Sequence, residues 1–228
     1  MRVLPALVHI FTALGAVCGL LATQAILTGD ASRLFAWLAI ALVIDAIDGT
    51  FARAVRVSEQ LPRFSGERLD LVVDYVTYVF VPVLALLQWR YLDGSLGLVL
   101  AAGILLSSLF HFSDLESKTK DNCFVGFPAI WNIFAFYVFA LDPAAWVAQL
   151  AVALAIVATF VPMPWVHPLR VVALRPLTLV VTALAGAGGI AVLLSGFPAP
   201  PLWQAALIAA ALYYTALAFY WWRKGVAS

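Results

Sequence analysis

The stretch 44-IDAIDGTFARAVRVSEQLPRFSGERLDLVVDY-75 contains two apolar segments, a basic connection between them and four aspartates. Asp45 and Asp48 lie near the end of the first segment, and Asp70 and Asp74 lie near the start of the second. If both segments are helices, an antiparallel hairpin brings the four carboxylates together at one end. Burying a charged group in apolar surroundings is costly, so such a cluster indicates a functional site.

The whole chain has the composition of an integral membrane protein. Of its 228 residues, 64% are hydrophobic and only 11% are charged, and the mean hydropathy is +1.01. Ordinary soluble domains contain roughly 25% charged residues. We therefore expect an all-α integral membrane protein, with one membrane domain over 1–228 and a catalytic hairpin at about 44–75.

The chain contains eight apolar segments, each near the length of about 20 residues that a spanning helix needs. They cover 5–28, 33–52, 69–91, 95–113, 124–141, 144–162, 176–195 and 201–222. The first segment follows Arg2 and could pass for a signal peptide. Its apolar run exceeds the short core of a signal, so we interpret it as the first of eight transmembrane helices.

The basic residues are distributed unequally between the two ends of these segments. Of the thirteen Lys and Arg, eleven fall on one side of the predicted topology, and only Arg33 and Arg90 fall on the other. Connections rich in Lys and Arg stay in the cytoplasm. We therefore expect both termini and the aspartate hairpin to face the cytoplasm, as an even number of spans allows.

The spacing of the aspartates places them on two helical stripes that also contain small residues. At 3.6 residues per turn, positions three and four apart lie on the same face of a helix. One stripe consists of Asp45, Asp48, Gly49 and Ala52, and the other of Gly66, Asp70 and Asp74. The small residues leave room for the close approach of a flat group or of another backbone.

Clustered carboxylates without His or Cys suit a hard divalent cation, Mg²⁺ or Mn²⁺. Two such ions in one site can clamp a phosphoryl group during its in-line transfer. A single intramembrane aspartate is equally compatible with a proton relay or a buried ion pair, and small residues occur in ordinary helix packing. Four aspartates at these spacings favour a metal–phosphate site.

The segments 45-DAIDGTFAR-53 and 66-GERLDLVVD-74 resemble the signature of the CDP-alcohol phosphotransferases, D-x2-D-G-x2-A-R followed by G-x3-D-x3-D. Every fixed position of the signature is filled. The connection 54–65 is longer than the usual one and is similar to that of the bacterial phosphatidylcholine synthases. Other stretches that resemble this subfamily are 9-HIFTALGA-16, 118-KTKDNCFVGFPAIWN-132 and 165-WVHPLRVVALR-175.

The resemblance implies an enzyme of the bacterial inner membrane that transfers the phosphatidyl group of CDP-diacylglycerol to choline and releases CMP. It also implies a homodimer, six helices that form the family core, and a requirement for two Mn²⁺ or Mg²⁺ ions. No nucleic-acid partner is expected.

The resemblance also assigns roles to individual residues. Asp45, Asp48, Asp70 and Asp74 would bind the metal, and Asp74 would in addition act as general base. The CDP group would contact Asp48, Gly49, Ala52, Arg53 and Gly66.

Choline is a quaternary ammonium, which proteins usually hold against aromatic faces. Trp131 and Tyr78 are our candidates for this contact, although aromatic residues are also common in membrane helices for packing alone. Arg170 and Arg175 would bind a substrate phosphate or an anionic lipid headgroup.

Two alternatives stay open at this point. The first is a transferase of the same family with another acceptor such as serine. The second is a cation-coupled transporter that uses the acidic cluster as an ion site, although the repeated halves typical of transporters are not evident.

Overall fold

A computed structural model of the chain describes residues 3–116, 123–166 and 174–224, which are predominantly helical. The helices are α1 (Val3–Leu27), α2 (Ala31–Val55), α3 (Val57–Gln60), α4 (Gly66–Gln88), α5 (Gly94–Ser113), α6 (Trp131–Leu141), α7 (Ala145–Thr159), α8 (Arg175–Ser195) and α9 (Pro201–Arg223). The strands β1 (Cys123–Val125) and β2 (Pro164–Val166) form one short antiparallel pair, which the sequence analysis did not predict.

Six of the helices are long and apolar enough to cross a membrane, namely α1, α2, α4, α5, α8 and α9. Each of them has 20 to 25 residues. At a rise of 1.5 Å per residue, this length corresponds to about 30–38 Å, which matches the hydrocarbon core of a bilayer. The prediction of an all-α integral membrane protein with several spans is therefore confirmed; a single domain over 1–228 stays a prediction.

The other two predicted spans, 124–141 and 144–162, differ from the prediction of eight full-length helices. Their helical parts are α6 with 11 residues and α7 with 15 residues. Helices of these lengths extend only about 16 and 22 Å. The helices are shortened because Gly126 has φ +79° and Pro128 lacks an amide hydrogen before α6, while Pro162 and Pro164 follow α7.

Glycines on α1 allow it to pack closely against α4. A Cβ atom at Gly15 would lie 2.5 Å from Cγ1 of Val73, and one at Gly19 would lie 2.9 Å from Cγ1 of Val76. Residue numbers increase together along the two contacting faces, so α1 and α4 run parallel. Because α1 also packs along α2, these three helices form one assembly with the first turns of α1 and α4 at the same end.

The connection between α2 and α4 is structured by local hydrogen bonds. α2 ends where Arg56 adopts a left-handed conformation with φ +51° and donates its amide to the last-turn carbonyls. Residues Val57–Gln60 then form the single turn of α3. α4 begins after Ser65, whose Oγ accepts a hydrogen bond of 3.2 Å from the amide of Arg68.

The middle part of α4 is a π-helix. It extends over Tyr75–Phe80, between α-helical stretches at Gly66–Asp74 and Val81–Gln88. The amide of Val81 donates to the carbonyl of Val76, five residues earlier, as a π-helix requires. Such segments are frequently found at functional sites, and this one begins directly after Asp74.

Candidate metal and substrate site

Three of the four aspartates come together between α2 and α4, about one to three helical turns from the connection between these helices. Asp45, Asp70 and Asp74 each offer one carboxylate oxygen, and these oxygens all lie within 4.8 Å of one another. Each of the three residues is half-buried. Two of the carboxylates project from successive turns of α4, while the third projects from α2, which the hairpin brings alongside.

Asp48 is placed differently from the other three aspartates. It lies one turn after Asp45 on α2 and is buried, with 6% of its surface exposed. Among the described residues, its carboxylate is not part of the group formed by the other three. The ligand set implied by the resemblance is therefore only partly assembled in this structure.

A tyrosine from the π-helical part of α4 orients one carboxylate of the cluster. The hydroxyl of Tyr78 donates a hydrogen bond of 2.6 Å to Oδ2 of Asp45. This residue follows Asp74 by four positions and so continues the stripe of Asp70 and Asp74. The sequence analysis assigned it to choline and missed this hydrogen bond, which the continued four-residue spacing could have indicated.

The donor set of the cluster fits a hard divalent cation. Two unit negative charges no more than 4.8 Å apart repel by at least about 3.5 kcal/mol at an effective dielectric constant near 20. A divalent ion bound between the carboxylates removes this repulsion, and carboxylate oxygens are the ligands that Mg²⁺ and Mn²⁺ prefer. The cluster of three aspartates could therefore hold a metal ion.

The predicted CDP-binding residues of α2 follow Asp45 along the helix, toward its end. Arg53 lies over Gly49, because its Nη1 atom is 3.3 Å from the position that a Cβ atom at Gly49 would occupy. Nη2 of the same arginine donates a hydrogen bond of 3.2 Å to Oγ1 of Thr50. Ala52 is half-buried and Arg53 is exposed.

On α4, the predicted CDP-binding residue Gly66 lies against a histidine of α1. A Cβ atom at Gly66 would lie 3.2 Å from Cε1 of His9. His9 was not among the predicted site residues, although it opens the stretch 9-HIFTALGA-16 that resembles the subfamily. The position of His9 next to Gly66 depends on the packing of α1 against α4, which the sequence alone does not show.

The candidate choline residues Trp131 and Tyr78 both belong to the main hydrophobic core. Trp131 is 1% exposed, and its indole N–H donates a hydrogen bond of 2.9 Å to Oγ of Ser108. The rings of Phe127 and Phe134 pack against it, with centroid distances of 5.5 and 5.1 Å. Of the two candidates, only Tyr78 is joined to the carboxylate cluster by a hydrogen bond described here.

The two arginines predicted to bind a phosphate or a lipid headgroup are described unequally. Arg175 is the first residue of α8, and its side chain is exposed. Arg170 lies outside the described residues.

The fold and the site together define a class of protein, a multi-pass helical membrane protein with a carboxylate cluster able to hold a metal. The chain is 40% identical to a phosphatidylcholine synthase of Agrobacterium fabrum, over 90% of the chain and 86% of that relative. It is 38% identical to one of Rhizobium meliloti, over 93% of the chain and 88% of the relative. The chain belongs to the phosphatidylcholine synthase family, which confirms the resemblance inferred from its motif.

A further relative of the same name, from Mesorhizobium japonicum, is 43% identical over 78% of the chain but only 66% of its own length. No protein-family model matches the chain. Because these relatives carry one name, the alternatives of a serine acceptor and of a transporter are not favoured.

Proposed function

We propose that this protein transfers the phosphatidyl group of CDP-diacylglycerol to choline, giving phosphatidylcholine and CMP. The observation that carries the proposal is the meeting of Asp45, Asp70 and Asp74 in a chain of this family. A site between two transmembrane helices, near their connected end, suits a donor that has a polar head and two acyl tails, because the tails can remain in lipid while the head enters the site.

In this proposal, Asp45, Asp48, Asp70 and Asp74 hold two divalent ions, Mn²⁺ or Mg²⁺. When bound, the ions neutralise the diphosphate of the donor and the phosphate of the departing CMP. Asp48 would need to approach the other three carboxylates, and Tyr78 would keep the Asp45 carboxylate in a fixed orientation.

Asp74 is the proposed general base. The choline oxygen attacks the phosphorus of the phosphatidyl group, the bond from this phosphorus to the CMP oxygen breaks, and the hydroxyl proton passes to Asp74. A carboxylate at the site can accept this proton as the new bond forms. Gly49, Ala52, Arg53 and Gly66, with Asp48, would line the space for the CDP group.

Choline would bind through its positive charge to aromatic faces close to the cluster. Tyr78 has the stronger support as a contact, because its hydroxyl already reaches Asp45. Trp131 is 1% exposed, and the rings of Phe127 and Phe134 pack against it in T-shaped contacts, so choline contact there requires the surrounding side chains to separate.

The remaining parts of the proposal concern the surroundings of the protein. We propose the bacterial inner membrane as its location, with both termini and the active site toward the cytoplasm, as the distribution of basic residues predicts. Arg170 and Arg175 would then lie near the membrane surface and bind phosphate or anionic headgroups. A homodimer is proposed from the family resemblance.

The first test supplies labelled choline, serine, glycerol 3-phosphate and inositol in parallel to membranes that contain the protein, CDP-diacylglycerol and Mn²⁺. Label should enter lipid from choline alone, with equal release of CMP. Label from another alcohol would overturn choline as the acceptor. Absence of CMP release from folded protein with every acceptor would overturn the transferase proposal and favour the transporter alternative.

The second test examines the carboxylates themselves. Asp70→Asn and Asp74→Asn should each abolish turnover while the protein stays folded. Asp93→Asn makes the same chemical change at an exposed position beyond the far end of α4 and should retain activity. Near-normal activity in both Asp70→Asn and Asp74→Asn would contradict the metal-site assignment.

A further inference from the structure

His9 carries a buried nitrogen that the described residues do not satisfy. Its Nε2 atom is shielded from solvent and has no hydrogen-bond partner among residues 3–116, 123–166 and 174–224. A buried polar atom without a partner costs free energy and calls for an explanation, such as a ligand. The residue as a whole is half-buried, so other parts of His9 are accessible.

The position of His9 relative to the carboxylates follows from the geometry of α4. Gly66, Asp70 and Asp74 are four residues apart and share one stripe, with about 6 Å along the axis between successive members. The His9 ring occupies the space into which a side chain at Gly66 would project, with Cε1 and Nδ1 at 3.2 and 3.7 Å from the Cβ position. The imidazole therefore extends the row of carboxylates by one step, toward the end where α1 and α4 begin.

The chemistry of the donor determines which of its groups would lie next to His9. In the proposed reaction the diphosphate lies at the carboxylates, and the acyl tails lie in lipid. The nucleoside is the polar remainder, and in the proposed reaction it extends from the diphosphate toward the end of the assembly where α1 and α4 begin, beside the basic connection between α2 and α4. An imidazole can donate one hydrogen bond and accept another, and both sugar hydroxyls and base carbonyls are suitable partners.

We propose that His9 binds the nucleoside of the CDP-linked donor, with Nε2 hydrogen-bonded to a ribose hydroxyl or to the cytosine carbonyl. This inference rests on the proposed function and adds a residue of α1 to a site otherwise built from α2 and α4. It also gives Gly66 a physical role, because a Cβ atom there would lie 3.2 Å from Cε1 of His9 and would press on the imidazole.

The test compares three replacements of His9 in the full-length protein. His9→Phe keeps the ring and removes both nitrogens; His9→Gln restores a polar atom near the place of Nε2, and His9→Asn restores one near the place of Nδ1. His111→Phe on α5 makes the same chemical change outside the α1–α2–α4 assembly and serves as the control. The measurements are KM for CDP-diacylglycerol, KM for choline, kcat and the thermal protection given by CDP.

Loss of one hydrogen bond should raise the donor KM of His9→Phe and His9→Asn by about tenfold and weaken protection by CDP. The choline KM should not change, and His9→Gln and His111→Phe should stay close to the unsubstituted protein. A donor with 2′,3′-dideoxyribose distinguishes the two possible partners: a ribose contact predicts the same loss with this donor, whereas a cytosine contact predicts none.

An unchanged donor KM and unchanged CDP protection in all three His9 variants would overturn the inference, even if their melting temperatures fell, because His9 would then only pack. If His9→Phe does not fold, the comparison of His9→Gln with His9→Asn decides, and equal donor KM values in these two would overturn it. Failure of the proposed function is recognised separately, because the unsubstituted protein would then release no CMP.

Discussion

The hydrogen bond from Tyr78 to Asp45 leads to a prediction about metal dependence. Tyr78→Phe removes the hydroxyl that lies 2.6 Å from Oδ2 of Asp45 and leaves the aromatic ring in place. A hydrogen bond to a charged group contributes about 1.5–3 kcal/mol, and loss of a group that orients a metal ligand lowers metal affinity by about 10- to 100-fold. We expect the Mn²⁺ concentration for half-maximal activity to rise by about this factor.

The assay is CMP release at saturating CDP-diacylglycerol and choline, measured over a series of Mn²⁺ concentrations. Activity at saturating Mn²⁺ should recover most of its original value, because the ligands themselves are retained. Tyr75→Phe is the matched control, since it removes the hydroxyl of the neighbouring tyrosine in the same π-helix. That hydroxyl donates to the backbone carbonyl of Leu105 at 3.1 Å, so the Mn²⁺ dependence should not change.

The same Mn²⁺ dependence in Tyr78→Phe and in the unsubstituted protein would refute the reasoning that this hydroxyl orients a metal ligand. A raised choline KM with unchanged Mn²⁺ dependence would instead assign Tyr78 to the acceptor pocket alone. A fall in melting temperature without either kinetic change would reduce its role to packing.

Two predictions concern glycines and are checked by thermal unfolding in detergent. Gly15→Ala should destabilise the protein by about 1–3 kcal/mol, because its new Cβ would lie 2.5 Å from Cγ1 of Val73. Adding Val73→Ala to Gly15→Ala should restore part of the lost stability. Gly186→Ala is the control, because a Cβ atom at Gly186 meets no atom within 4 Å, and it should not destabilise the protein in this way. Equal melting temperatures for Gly15→Ala and Gly186→Ala would contradict the close packing of α1 on α4. Gly126→Ala should be more damaging than Gly29→Ala, although both glycines have positive φ, at +79° and +71°. In Gly126→Ala the new Cβ would also clash with a backbone carbonyl at the end of α7. Gly29→Ala has only the conformational strain of about 1–2 kcal/mol. Equal losses of stability in the two variants would contradict the clash.

Spacing along the chain was sufficient to predict that carboxylates from two helices meet. Residues three and four apart lie on one helical face, and a hairpin closes the distance between two such faces. Spacing alone could not predict that Asp48 would be buried outside the group of Asp45, Asp70 and Asp74. The side-chain direction at that position depends on how α2 is rotated against α1 and α4, and this rotation is set by packing.

Apolar length was a less reliable guide where glycine and proline occur in an apolar run. The segments 124–141 and 144–162 have the hydropathy of spanning helices, but their helical parts are α6 and α7 with 11 and 15 residues. Hydropathy measures the preference for lipid and takes no account of backbone hydrogen bonds. The positive φ of Gly126 and the missing amide of Pro128 break the helix but lower the mean hydropathy of the segment only slightly.

The sequence by itself determined that this is a helical membrane protein of the phosphatidylcholine synthase family, because composition, helical periodicity and a long motif are local properties of the chain. Only the tertiary structure decided which groups surround the carboxylates. The hydroxyl of Tyr78 reaches Asp45 across 33 positions, and His9 meets Gly66 only because glycines on α1 allow it to approach α4. Contacts between residues distant in the chain depend on how helices pack, and packing is settled by the shapes of many side chains together.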